Sequence, residues 1–419
     1  MQERIPLEEA RSIVLENTPL MPVEDVPLLD ALGRVVAEDL ASDIDVNAFD
    51  DAAMDGFAII AADTADATEK NPAKLRIVDI VGAGAVYGGV LQPGEAVRIM
   101  TGAAMPKGAD TNVMIEKVEV TGDGGIGETL LIKNPQITGD NVRKAGEEAK
   151  AGQVVLPAGS KVTAAGVGLL ATTGNCTVPV YRKPVVGIIS IGTELVDPEE
   201  LPADGMRRDS NRYTMAAMAI DAGAEVRMYR IVPDEPDSIR STYETAIAEC
   251  DYVVSSGGAC EGDFDYIGQI ASDLGDVKFN FVNMRPGKAQ KFGIIPDGTL
   301  LFGLSGNPAA SATGFEMLVR PSLLKAQGCK ELDRVYVNAR YAGSESRSRL
   351  PRRFFMRGIL SRGDDGGYIA TPMQKQSSQL IGETAKSNCY IEIPEGDGTI
   401  EPGDIIRCMR IDVAEGTVD

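Results

Sequence analysis

The sequence predicts a multi-domain α/β plus β protein: a β-rich N-terminal part, a parallel doubly wound α/β domain, and a small β domain towards the C-terminal end. Three observations carry this. The chain has 419 residues, more than one core organises at roughly 150 residues per domain. Residues 23–181 are rich in short Val/Ile stretches punctuated by Gly and Pro, which reads as β structure. From Lys183 onward, buried strands alternate with longer helical segments, the signature of βαβ units and a parallel sheet.

Taken in order, residues 1–20 are charged and read as an amphipathic helix. They have no apolar stretch of signal-peptide type, so the protein is expected to stay in the cytoplasm. Glu95 to Met100, Thr111 to Val120 and Gln153 to Gly159 read as strands. In the α/β part, Val185 to Ile191, Glu225 to Val232 and Asp251 to Ser256 read as strands, and Ser210 to Asp221 and Asp237 to Glu249 as helices. A long helical stretch, Pro308 to Ala326, precedes short strands with turns at Gly363 to Gly367 and Glu395 to Gly398.

Composition narrows the chemistry. With 41 Lys and Arg against 62 Asp and Glu, the net charge of −21 repels a phosphate backbone, so nucleic acid is not an expected partner. The longest apolar runs, such as Val185 to Ile191, are too short to span a bilayer, so no membrane association is expected. Six cysteines lie scattered without a C-x-x-C pair, which gives neither a zinc signature nor a disulfide framework. There is no histidine. Catalysis therefore rests on carboxylates, Lys, Arg, hydroxyls and hard metal ions.

In an open parallel sheet, ligands bind beyond the carboxyl ends of the strands. The first strand runs into Gly192, Thr193 and Glu194, the second into Pro233 and Asp234, and the third into Gly257, Gly258, Asp263 and Asp265. Any one loop acid is usually a solvated or capping residue. Three on consecutive strand ends, predicted to converge, suit Mg²⁺, which takes one or two carboxylates and fills its shell with water and phosphate oxygens. Gly257 and Gly258 let phosphates approach the backbone. Arg285 and Lys288 flank a Pro-Gly turn, a cationic pair suited to an oxyanion. Pattern alone supports a nucleotide or phosphate site with Mg²⁺.

The segments DAAMDGFAI (Asp51 to Ile59), RIMTGAAMPKGAD (Arg98 to Asp110), VRKAGEE (Val142 to Glu148), IGTEL (Ile191 to Leu195), SSGGACEGDFDY (Ser255 to Tyr266), MRPGKAQKFG (Met284 to Gly293) and GLSGNPAAS (Gly303 to Ser311) carry a further message. In order and spacing they resemble the signatures of the molybdopterin molybdenumtransferases, the bacterial MoeA type, homologous to the E domain of gephyrin. FFMRG and QSSQ fit as well.

That resemblance implies an extended N-terminal segment (1–46 and 139–181), an inserted β-rich domain (47–138), an α/β domain of molybdopterin-binding type (182–328) and a C-terminal β-barrel (329–419). It implies a homodimer whose cleft draws on both subunits. Glu194, Asp234 and Asp265 match the family's acids at the α/β site as catalytic groups and Mg²⁺ ligands. Asp55, Thr101 and Glu148 match contributors from the partner subunit, Asp55 and Glu148 as catalytic acids and Thr101 in binding. Arg285, Lys288, Arg357 and Ser378 match the groups that hold molybdate or pterin phosphate and are expected to converge. Pro308 shapes the turn before the helix, and Gly257 and Gly258 bind substrate.

The implied function is molybdenum cofactor biosynthesis: insertion of molybdate, or tungstate, into adenylylated molybdopterin with Mg²⁺-dependent release of AMP. The molybdopterin adenylyltransferase and apo-molybdoenzymes are the implied protein partners. Two alternatives stand beside it: a non-catalytic gephyrin-like scaffold, and a nucleotide or pyrophosphate hydrolase sharing the α/β domain. The family's L-P-G-N-P run reads Leu304-Ser305-Gly306-Asn307-Pro308 here, its serine two residues later is Ala310, and K-P-G-K-P reads Arg285-Pro286-Gly287-Lys288-Ala289. Glu148 stands for the acid of the G-E-D run. Ser305 and Ala310 are expected to leave the anion pocket slightly roomier and one hydrogen bond poorer.

Overall fold

A computed structural model describes residues 4–258, 266–347 and 352–417. The chain divides into two compact units, residues 25–178 and residues 1–24 together with 179–419.

The 25–178 unit is built on a six-stranded sheet, in the order Thr111–Met114, Gly56–Ile59, Glu95–Ile99, Ala73–Val81, Thr129–Ile132, Glu119–Val120. Both of its faces are covered, and the two-residue period of a strand sorts the side chains. Phe57, Ile59, Leu75, Ile77 and Leu130 enter one core, while Ala58, Val81, Val97 and Ile99 enter another. The expected strand from Thr111 to Val120 is interrupted by a 3₁₀ turn at Ile115–Lys117. Two short ladders flank the sheet: Val142–Arg143 with Asp51–Ala52, and Val154–Leu156 with Leu40–Ala41. A bidentate ion pair from Arg143 to Asp51, 2.7 and 3.1 Å, fastens the first.

In the second unit, the α/β sheet runs Glu225–Met228, Val185–Ser190, Tyr252–Ser256, Leu300–Leu304, Ala289–Ile294, Asp276–Phe281. The first four strands are parallel, with helices on both faces. Val186, Ile188, Tyr252, Val254 and Phe302 point to a core shared with the helices Leu7–Glu16, Asn211–Asp221 and the 308–326 stretch. Ile189, Val253 and Leu301 point the other way, to Ile239, Tyr243 and Ala246 of the helix Pro236–Glu249. The last two strands are antiparallel. Their connections, 282–288 and 295–299, are far shorter than the roughly dozen residues a parallel crossover takes. The expected strand to Val232 stops at Met228, and only an isolated bridge, Ile191 to Val232, continues the pairing.

The strands Arg353–Arg362, Tyr368–Pro372, Tyr336–Tyr341, Ile405–Arg410 and Cys389–Ile393 pair in that order, and the last returns to the first. The result is a closed barrel without free edges, filled by residues such as Tyr341, Met356, Ile391 and Ile406. A short strand, Met284–Arg285, pairs in parallel with Arg353–Phe354. This joins the Arg285–Lys288 turn to the barrel wall.

Candidate active site

The carboxyl ends of the parallel strands and the start of the 289–294 strand share one edge of the sheet, because an antiparallel neighbour begins where a parallel one ends. In sheet order that edge presents Asp234, Glu194, Gly257 with Gly258, Ser305 to Pro308, and finally Arg285 to Lys288. Acids occupy one end and cations the other. At roughly 4.8 Å per strand, the three spacings from Glu194 to Lys288 amount to roughly 14 Å. All these residues line one cavity of about 1280 Å³, to which the barrel contributes the Gln376 to Gln379 segment.

At the acid end, Thr193 and Asp234 clasp each other. The Thr193 N–H donates to Asp234 Oδ2 at 2.8 Å, and the Asp234 N–H donates to Thr193 Oγ1 at 3.0 Å. Asp234 lines the cavity, and its Oδ1 has no hydrogen-bond partner among the described residues. The Glu194 carboxylate folds back over Gly192, where an added Cβ would lie 2.5 Å from Oε2. Two carboxylates on hard oxygens suit a Mg²⁺ that completes its shell with water and phosphate. No group of three acids or thiols suited to a metal occurs among the described residues. Asp265, expected as the third acid, lies outside them.

The centre is backbone. Gly257 has φ +94°, and a Cβ there would sit 2.0 Å from the Ile191 carbonyl oxygen, so only glycine permits the turn. Beneath it, Asn211 Nδ2 donates to Ser256 Oγ at 2.7 Å and to the Gly306 carbonyl at 2.8 Å. Asn211 thus locks the loops after two neighbouring strands, a role that its place at a helix start concealed, since Asp-Ser-Asn there reads as a cap. Asp209, also unsuspected, is buried and accepts from Ser190 Oγ at 3.0 Å.

At the cation end, the Arg285 guanidinium lies 4.1 Å from the centre of the Phe354 ring, held against the barrel. The Val282 N–H donates to the Lys288 carbonyl at 2.9 Å and closes the loop. The Ser378 carbonyl accepts from the Ala309 N–H at 2.9 Å, which brings QSSQ to the Pro308 turn.

One expectation needs correction. Arg357 does not line the cavity: it is 1% exposed, and its side chain donates to the carbonyls of Lys375, Ser377 and Leu380 and to Gln376 Oε1. It shapes the segment that carries Ser378, and burial pulls its guanidinium below the usual range. Ser305 is tied across the pocket wall, its hydroxyl donating to the Ala289 carbonyl at 2.9 Å. Asp55, Thr101 and Glu148 belong to the 25–178 unit. There the Thr101 N–H and hydroxyl both donate to Asp55 Oδ1 at 2.7 Å and hold its carboxyl below the ordinary range, while exposed Glu148 is bonded to neither.

Comparison with known proteins identifies the family. Residues 5–174 match the MoeA N-terminal region (domain I and II), residues 187–325 the probable molybdopterin binding domain, and residues 340–409 the MoeA C-terminal region (domain IV). A molybdopterin molybdenumtransferase of Bacillus subtilis (strain 168) is 38% identical over 414 residues, covering 99% of this chain and 95% of that one. The chain belongs to the molybdopterin molybdenumtransferase family. The Staphylococcus aureus (strain COL) member is 34% identical over 401 residues, with 95% and 94% covered. The crystal structure of the molybdopterin biosynthesis moeA protein from Pyrococcus horikoshii OT3 superposes with a TM-score of 0.81 at 31% identity, covering 97% of this chain and 100% of that one. Family membership thus spans both units and the barrel, well beyond the α/β domain that a hydrolase would share.

Proposed function

We propose that this protein is a molybdopterin molybdenumtransferase, which inserts molybdate into adenylylated molybdopterin in molybdenum cofactor biosynthesis and releases AMP. The observation that carries the reading is the polarity of the cavity, with two carboxylates at one end, a glycine pair at the centre and two cations at the other. Such a row accommodates a substrate whose phosphates and incoming oxyanion need separate treatment.

Lys288 and Arg285 compensate the charge of molybdate, which would otherwise be costly to desolvate. The Ser378 hydroxyl adds a donor, and Gly257 and Gly258 let the phosphate chain lie close to the backbone. Glu194 and Asp234, with Asp265, would hold Mg²⁺, which supplies Lewis-acid polarisation of the phosphoryl group when bound. The protein's own work is positioning and electrostatic stabilisation, because phosphoryl and oxyanion transfer leave little covalent chemistry for side chains.

The same reading includes a cytoplasmic homodimer with Asp55, Thr101 and Glu148 supplied by the second copy. No described helix is long and apolar enough to cross a membrane. The test is incubation with adenylylated molybdopterin, Mg²⁺ and molybdate or tungstate, following AMP release and reconstitution of an apo-molybdoenzyme. Absence of both products would refute the assignment, and a monomer by light scattering at micromolar concentration would refute the dimer.

A further inference from the structure

One cation of the cavity lies outside the row of strand ends. After Glu194 the chain leaves the sheet and returns as a two-residue parallel ladder, Leu195–Val196 with Arg207–Arg208. The Arg207 N–H donates to the Glu194 carbonyl at 2.8 Å, and both residues line the cavity. Arg207 therefore sits beside Glu194 at the acid end of the cavity, the opposite end of the row from Lys288.

The neighbouring arginines are committed to protein partners. Arg208 Nε donates to the Glu200 carbonyl at 2.9 Å, and Arg212 pairs with Asp197 and donates to the Tyr229 carbonyl at 2.7 Å. Arg207 is exposed, and its guanidinium has no hydrogen bond or ion pair to any described residue. In a chain with 62 acidic against 41 basic residues, a cavity arginine that pairs with no acid among the described residues is suited to an anionic ligand.

We propose that Arg207 contacts the substrate directly and holds a phosphate of its nucleotide half, while Arg285 and Lys288 take the molybdate. This rests on the function proposed above. The strand ends of Glu194, which Arg207 adjoins, and of Lys288 are roughly 14 Å apart, so a ligand that reaches from one end of the row to the other offers separate anionic groups to each. Glu194 and Asp234 alone repel a phosphate at this end, and a guanidinium beside them offsets that repulsion. Its planar fork also meets two phosphate oxygens at once.

The experiment is calorimetric titration of the full-length protein in metal-free buffer with AMP and, separately, with sodium molybdate, on the unaltered chain, Arg207→Gln and Arg207→Lys. Arg207→Gln is expected to weaken AMP binding about tenfold, with Arg207→Lys between, and to leave molybdate binding within about twofold. Equal AMP affinity in the unaltered chain and Arg207→Gln overturns the role of Arg207 and leaves the transferase reading standing. Parallel loss of AMP and molybdate overturns it too, since that marks a structural effect. No AMP binding by the unaltered chain overturns the role of Arg207 as well, and the transferase reading then stands or falls on the AMP-release assay.

Discussion

The Ser305 hydroxyl donates a 2.9 Å hydrogen bond to the Ala289 carbonyl, tying the loop after the 300–304 strand to the Arg285–Lys288 turn. Where the family pattern has proline rigidity, this chain uses a cross-loop hydrogen bond. Ser305→Ala is therefore expected to lower stability by about 1 kcal/mol. A shift of the denaturant midpoint checks this, and an unchanged midpoint would show the bond to be dispensable.

Ala310 lines the cavity without a hydroxyl, so nothing there discriminates finely between anions of nearly equal size. Molybdate and tungstate are expected to bind within about tenfold, about 1.4 kcal/mol. Calorimetry of both anions, repeated on Ala310→Ser, tests it. A strong preference that the serine leaves untouched means the anion pocket is misassigned.

Asp234→Asn keeps an oxygen for the Thr193 N–H but removes the charge. Because hydrogen bonds to charged groups contribute about 1.5–3 kcal/mol, the Mg²⁺ needed for half-maximal AMP release is expected to rise roughly 10–100-fold while folding is retained. An unchanged Mg²⁺ titration counts against Asp234 as a ligand.

Arg357 spends its donors on backbone carbonyls of the 375–380 segment. Lysine cannot reproduce that fork, so Arg357→Lys is expected to cost about 1–3 kcal/mol of stability from carbonyls left unsatisfied, with molybdate present or absent. Unchanged stability together with lost molybdate binding would instead identify a direct anion ligand.

Burial pushes the Glu415 carboxyl up, but the 2.6 Å hydrogen bond and charge of Arg320 outweigh it, and the group titrates below its usual range. The unfolded chain therefore binds this proton more readily than the folded one. The stabilisation is complete above the ordinary carboxylate pKa, about 4.3, and is lost as pH falls through the lower folded value. Between pH 7 and pH 3 the unaltered chain is expected to lose more stability than Glu415→Gln, as chemical denaturation at each pH will show. Equal losses would place the acid sensitivity elsewhere.

Much of the α/β frame was legible from periodicity. Val185 to Ile191 and Asp251 to Ser256 are uninterrupted apolar runs because both faces of those strands are covered, and runs of that kind survive as strands in any arrangement with helices on two sides. Strand ends then pointed to Glu194, Asp234 and the Gly257–Gly258 pair. Glu225 to Val232 reads as one strand but ends at Met228, since an edge strand pairs on one side only and ends where that partner turns away.

Legibility stopped where a residue's role depended on what lay opposite it. Arg357 looked like an anion ligand because a basic residue in a family motif carries no mark of burial. Closure of the barrel puts it 1% exposed beneath the 375–380 segment. Asn211 sits at a helix start, where Asn commonly caps, and the loop after the 300–304 strand makes it a clamp instead.

The order of apolar runs, turns and charged motifs by itself determined the central strands of the α/β frame, the β-rich character of the flanking parts and the chemistry open to a chain without histidine, because these follow from local periodicity and side-chain type. Only the tertiary structure decided which ends of the sheet hold acids and cations, that the last two strands run antiparallel, and that the Arg207 side chain beside Glu194 has no partner among the described residues. Those outcomes depend on strand order and on contacts between residues far apart in sequence, and no local pattern encodes them.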